Sequence, residues 1–151
     1  MTAPVSPMEA HLGYWLRFVS SHVSHAFRHK VEAQGVTVAE WVVLRALFDH
    51  AAAAPSELAA QLGLTRGAIS KLADRLEAKS LATRTTDPRD RRWQSLALTE
   101  PGRALVPVLA ALADANDAEF FAELDAKDRA AMTRVMQEIV RRKGLRTVPL
   151  E

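Results

Sequence analysis

The chain has 151 residues, 48% hydrophobic and 25% charged, which suits one domain with a true core and excludes disorder as the default. It contains no cysteine, which removes disulfides, thiolate metal sites, iron–sulfur clusters, cysteine nucleophiles and cysteine redox sensors together. The net charge of +2 is unevenly spread: Thr65–Arg92 holds eight basic residues against four acidic ones, Glu100–Glu138 four against eight, and Arg141–Arg146 is basic again. A basic middle beside an acidic flank is the footprint of a face turned toward a polyanion, although a merely solvated face has the same composition. No run of about 18 apolar residues occurs, so neither a membrane span nor a membrane partner is expected. The opening MTAPVSPM lacks the basic start and apolar stretch of a secretory leader, so the expected location is the cytoplasm.

Residues 1–8, with Pro4 and Pro7, read as a loose arm. Over residues 9–34, Leu12, Leu16, Val19, Val23, Phe27 and Val31 recur in steps of three and four, which predicts a long amphipathic helix closed by Gly35. Such a helix is longer than one small domain needs and points to a partner chain. Thr37 with Glu40 forms a capping box for a helix to about His50, carrying Trp41, Val43, Leu44, Leu47 and Phe48. After Ala51–Pro55, Ser56 is expected to cap a short helix through Leu62, and Gly63–Leu64 to turn the chain. Thr65 then caps a helix to about Lys79. Its inward stripe is Ile69, Leu72, Ala73 and Leu76, which leaves Arg66, Gly67, Ser70, Lys71, Asp74 and Arg75 facing out. The period then shortens. Leu81–Thr86 and Trp93–Thr99 read as strands around the turn residues Asp87–Asp90. Thr99 caps a further helix marked by Leu105, Leu109, Leu112 and Asn116, with Pro107 expected to kink it, and a last helix at 126–142 carries Met132, Val135, Met136 and Ile139.

Helix, glycine turn, helix and basic hairpin, in that order, spell a winged helix–turn–helix. The fold class is therefore mainly α (α+β), with long N- and C-terminal helices for dimerisation. The divisions are an arm (1–8), a first dimerisation helix (9–34), a winged helix–turn–helix region (37–99), C-terminal dimerisation helices (100–142) and a tail (143–151). Arg66 and Lys71 can donate to guanine in a major groove, and Ser70 to a base or phosphate. Gly67, at a helix-propensity cost of about 1 kcal/mol, leaves room for close DNA approach. Arg89, Arg91 and Arg92 at the hairpin tip fit a minor groove or flanking phosphates. No nucleophile elbow, paired-carboxylate motif or phosphate-binding glycine loop occurs, so an enzyme is not expected, nor is a cofactor.

The segment SELAAQLGLTRGAISKLADRLEAKSLATRTTDPRDRRWQSLALTEPGRAL resembles the MarR family of bacterial transcriptional regulators, most specifically in Asp87–Arg92 followed by LT-x-x-G at Leu98–Gly102. The resemblance runs over about residues 9–142. It implies a homodimer on a pseudo-palindromic duplex, with repression the expected sense, relieved by a small ligand. Carried over by position, Thr65, Arg66, Gly67, Ser70, Lys71 and Arg75 lie on the recognition helix. Asp87 steadies the wing, and Arg91 is the minor-groove arginine with Arg89 or Arg92 as rivals. Ser80 stands where the family usually has glycine, and left-handed geometry there costs about 1–2 kcal/mol.

The family's ligand pocket lies between the dimerisation helices and the winged domain. Tyr14, Trp15, Phe18 and Trp41 are four of nine aromatics and, with His22 or Arg45, would suit a small aromatic acid or phenol. Simple packing is the plainer role for these rings. His22, His25 and His29, at i, i+3 and i+7, have helical spacing for a metal but lack a fourth ligand, so no metal is expected. The alternatives left open are a winged module binding DNA without sequence preference or binding a protein, and a metal- or pH-responsive regulator using these histidines.

Overall fold

The computed structural model describes residues 1–86, 88–89 and 94–148. A one-turn 3-10 helix, Met8–Ala10, precedes α1 (Leu12–Glu32), α2 (Val38–Phe48), α3 (Pro55–Leu62), α4 (Arg66–Ala78), β1 (Ala82–Thr86), β2 (Gln94–Leu98), α5 (Glu100–Phe121) and α6 (Ala126–Lys143). The buried core is built by the end of α1 with α2, α3, α4, the hairpin and the first half of α5. None of α6 and, on α1, only Val31 is buried.

Several helix starts differ from the sequence reading, each for a local reason. α1 begins at Leu12, not Glu9, because His11 is extended between it and the 3-10 turn. Thr37 Oγ1 does accept from the Glu40 N–H at 3.1 Å, but the Glu40 carboxylate turns inward instead of completing the box. Ser56 caps nothing. Ala53 is paired with β2, donating to and accepting from Leu96 at 2.9 and 2.8 Å, so the chain is still extended at Ala54 and enters α3 through Pro55. The alanine run therefore supplies a bridge on β2 as well as a helix end.

β1 and β2 pair antiparallel with Ala82 opposite Leu98 and Thr86 opposite Gln94. Leu96, held between β1 and Ala53, is completely buried. Pro107 does not interrupt α5, which runs as one helix from Glu100 to Phe121. Asn116, at 4% exposure, donates to the Val23 carbonyl and accepts from Lys30, which also pairs with Glu119. This polar tie fixes α5 against α1.

Candidate nucleic-acid interface

α4 is positioned by its own sequence. Thr65 Oγ1 accepts from the Ala68 N–H at 3.1 Å, and Ile69, Leu72, Ala73 and Leu76 are buried against the core. Arg66, Gly67, Ser70, Lys71, Asp74 and Arg75 are consequently exposed along the outer face. Among the described residues a Cβ at Gly67 would meet only Thr65 Oγ1, at 3.9 Å, so none of them requires glycine there.

Three anchors hold this helix, and the sequence reading missed the contacts that make the first two. Arg84 on β1 reaches back to α4: it donates to Asp74 at 2.6 Å and to the Ser70 carbonyl at 2.8 Å and hydroxyl at 3.2 Å, and its Nε lies 3.5 Å from Glu77. Ser70 thus shares its hydroxyl with Arg84. At the far end of α4, Lys79 donates to both Glu40 oxygens, at 3.0 and 2.7 Å, and to the Gly35 carbonyl at 2.8 Å. Glu40 is 1% exposed, so this pair is half buried from the α2 side. The third anchor is the junction of α4 with α5. Ser80 adopts φ 60°, the left-handed geometry anticipated for it. Its carbonyl accepts from Thr99 Oγ1 at 2.7 Å, while the same Thr99 oxygen accepts from the Gly102 N–H. A Cβ on Gly102 would collide with the Leu81 carbonyl. The Thr-x-x-Gly spacing therefore serves a close backbone approach, which a glycine inside a helix start could have signalled.

A cleft of about 380 Å³ opens between the start of α3, the outer face of α4 and β2, lined by Ser56, Arg66, Ser70, Arg84 and Gln94 among others. Arg89 is exposed. Asp87, Arg91 and Arg92, with Trp93, lie outside the described residues.

The residues grouped for a ligand separate into two sets. Tyr14, Trp15, Phe18 and His22 form one row of rings, with centroids 5.1 Å apart for Tyr14–Trp15 and 5.4 Å for Phe18–His22. Arg17 and Met8 join Tyr14, Phe18 and His22 around an open cavity of about 380 Å³. Trp41 packs on Phe27 instead, and Arg45 pairs with Asp49, so neither meets that row. Trp41 and Arg45 belong to α2, and Trp41 meets α1 at Phe27, beyond the row. His25 stacks edge-on with His29 at 4.9 Å while His22 faces Phe18, so the three imidazoles do not converge. Among the described residues no cluster could hold a metal.

Beyond the core, α1 exposes Leu12, Trp15, Leu16, Phe18 and Val19, and α6 exposes Met132, Val135, Met136, Ile139 and Val140. α1, Phe121 of α5, and Met132 and Met136 of α6 line an almost wholly apolar groove. Among the described residues no helix is long and apolar enough to cross a membrane.

A helix–turn–helix with an adjoining hairpin, carried between long helices, defines a winged helix–turn–helix protein. A model of the MarR family matches residues 34–92. The repressor MdtR of Bacillus subtilis is 42% identical over 72 residues, covering 48% of this chain and 46% of that protein. Solved structures match nearly the whole chain, two of them as follows. CouR from Rhodococcus jostii RHA1, bound to p-coumaroyl-CoA, is 29% identical with a TM-score of 0.74, over 89% of this chain and 95% of that one. Bordetella bronchiseptica BpsR, whose DNA binding is regulated by 6-hydroxynicotinic acid, is 26% identical with a TM-score of 0.76, over 91% and 97%. The chain is thus similar to the MarR family over residues 34–92, and that family is one of transcriptional regulators and not of enzymes.

Proposed function

We propose that the chain is a homodimeric repressor that reads a pseudo-palindromic operator in duplex DNA and is released by a small aromatic acid. The observation that carries the DNA reading is the outer face of α4. Arg66, Lys71 and Arg75 stand exposed around a glycine that none of the described residues requires, on a helix whose outer face is tied to β1 by Arg84. The positive N-terminal end of α4 and these cations fit a major groove, with base discrimination from Arg66 and Lys71. Thr65 and Ser70 lie beside them for phosphates. Arg89, Arg91 and Arg92 remain assigned to the wing contact, and Asp87 to steadying it, on the sequence alone.

The dimer is supported by the unpartnered apolar faces of α1 and α6. Contiguous apolar surface of that kind is rare on a monomer and is the ordinary mark of an interface. A two-fold pair of such heads would place its recognition helices in successive major grooves about 34–36 Å apart.

The ligand reading rests on the Tyr14, Trp15, Phe18 and His22 row beside Arg17. An aromatic acid would stack there and place its carboxylate on the guanidinium. CouR and BpsR, bound or regulated by aromatic acid derivatives, support that class. Trp41 and Arg45 are not part of this site.

The test is selection of bound sites from a random duplex pool by the purified protein. Recovery of a two-fold-symmetric site with half-sites one helical turn apart is the expected result. Binding without sequence preference would refute the operator reading.

A further inference from the structure

The C-terminal tail is not accounted for by the dimer or by α4. α6 ends at Gly144 in left-handed geometry, with the Leu145 N–H donating back to the Val140 carbonyl at 3.0 Å. That turn directs the chain onto the helix–turn–helix itself. A methyl group at Gly63 would sit 2.5 Å from Thr147 Cγ2, so the Thr147 side chain fills the space that the glycine leaves open. Gly63 is the αL residue between α3 and α4, two positions before the Thr65 cap of the recognition helix.

The tail is strongly basic. Arg141, Arg142, Lys143 and Arg146 occur in 141–148 with no acidic residue among them. The three within α6 favour the negative end of their own helix dipole. Arg142 also lies 3.9 Å from Glu138. Arg146 lies past the helix end, where the dipole gives no reason for it, and it pairs with no carboxylate among the described residues. It is the residue next to Thr147, one Cα step of about 3.8 Å from the side chain that sits on Gly63.

We propose that Arg141–Arg146, seated on the helix–turn–helix turn by Thr147, is a further DNA-contacting element, besides α4 and the wing, that neutralises backbone phosphates beside the segment read by α4. This rests on the reading of α4 as the recognition helix. A duplex carries about one negative charge per 1.7 Å of its axis, and the strand bordering a groove entered by α4 must pass the turn that precedes it. The tail binds phosphate, so it adds affinity and salt dependence without sequence preference.

The experiment compares the wild type with the triple variant R141Q/K143Q/R146Q, which spares the Arg142–Glu138 pair and changes only exposed side chains. Binding to the selected site is measured as a function of salt on two duplexes, one with long flanks and one trimmed to the bases read. On the long duplex the variant should show a log–log salt slope shallower by about 0.9 for each phosphate that is no longer neutralised, with unchanged base preference. On the trimmed duplex the two proteins should bind alike. Equal slopes on the long duplex overturn the proposal, as does a deficit that persists on the trimmed one. A variant that no longer sediments as a dimer overturns it too, since the tail would then act through assembly. A wild type that selects no site at all refutes the reading of α4 instead.

Discussion

Replacing Lys79 by methionine keeps the length of the side chain and removes its charge. In the folded chain the lysine supplies two hydrogen bonds to Glu40 and one to the Gly35 carbonyl. Glu40 is 1% exposed, so without Lys79 its carboxylate is left buried without a counter-charge. Breaking a buried pair from one side costs about 3–5 kcal/mol. The Lys79 side chain is 39% exposed, which lets water in and lowers that figure to about 2–3 kcal/mol. For a chain of this length the fall in Tm should be about 5–10 °C. The assay is urea unfolding followed by far-ultraviolet circular dichroism, at one fixed protein concentration because the stability of the proposed dimer would depend on it. The decisive comparison is with E40L/K79M. Removing both partners removes the buried charge, so the double variant should be more stable than Lys79→Met alone. A single variant within about 0.5 kcal/mol of wild type, or a double variant no better than the single, would refute the argument.

Gly102→Ala should destabilise by about 1–3 kcal/mol or more, because the new methyl group meets the Leu81 carbonyl, which is backbone and cannot rotate away; thermal unfolding reads it. Ser80→Gly should raise stability by up to about 1 kcal/mol, the relief of φ 60° exceeding the added freedom of the unfolded chain; a loss on urea unfolding would contradict this. Arg66→Ala and Lys71→Ala should each relax base preference by about 1–3 kcal/mol at one operator position, and selection profiles that match wild type at every position would place α4 wrongly. Met136→Glu should turn the dimer into a folded monomer. Met136 is 46% exposed in the single chain, so a carboxylate there is tolerable until a second apolar face must close over it; sedimentation decides.

α4 could be read residue by residue because its signals are local. Thr65 caps three residues ahead, and Ile69, Leu72, Ala73 and Leu76 repeat at helical spacing. The two strands and the cap at Thr99 were legible for the same reason. What escaped is long-range. Arg84 looked like one more basic residue in a charged stretch, yet its guanidinium is spent on Asp74 and Ser70, across the gap between hairpin and helix. Lys79 and Glu40 are 39 positions apart, and no local pattern says that they meet. That Trp41 packs on Phe27 and Arg45 pairs with Asp49, apart from Tyr14, was not legible because composition counts aromatics without saying which neighbours each one meets.

The anchors on α4 lead to three different places. Arg84 ties its outer face to β1, Lys79 ties its C-terminal end to the α1–α2 turn and the first turn of α2, and Ser80 with Leu81 ties the following residues to the start of α5. None of these joins α4 to its neighbours through side-chain packing alone, and each uses a backbone carbonyl or a buried charge whose loss is costly. The helix therefore cannot tilt relative to the wing, α2 or α5 without breaking at least one of them. A change in how α1 and α5 sit, held together by Asn116 and Lys30 at the other end, should therefore carry α4, α2 and the hairpin together. Lys79→Met tests this as well as stability. It should widen the spacing tolerated between half-sites while each half-site sequence stays the same, whereas altered half-site sequences with fixed spacing would show that the anchor shapes the reading face itself.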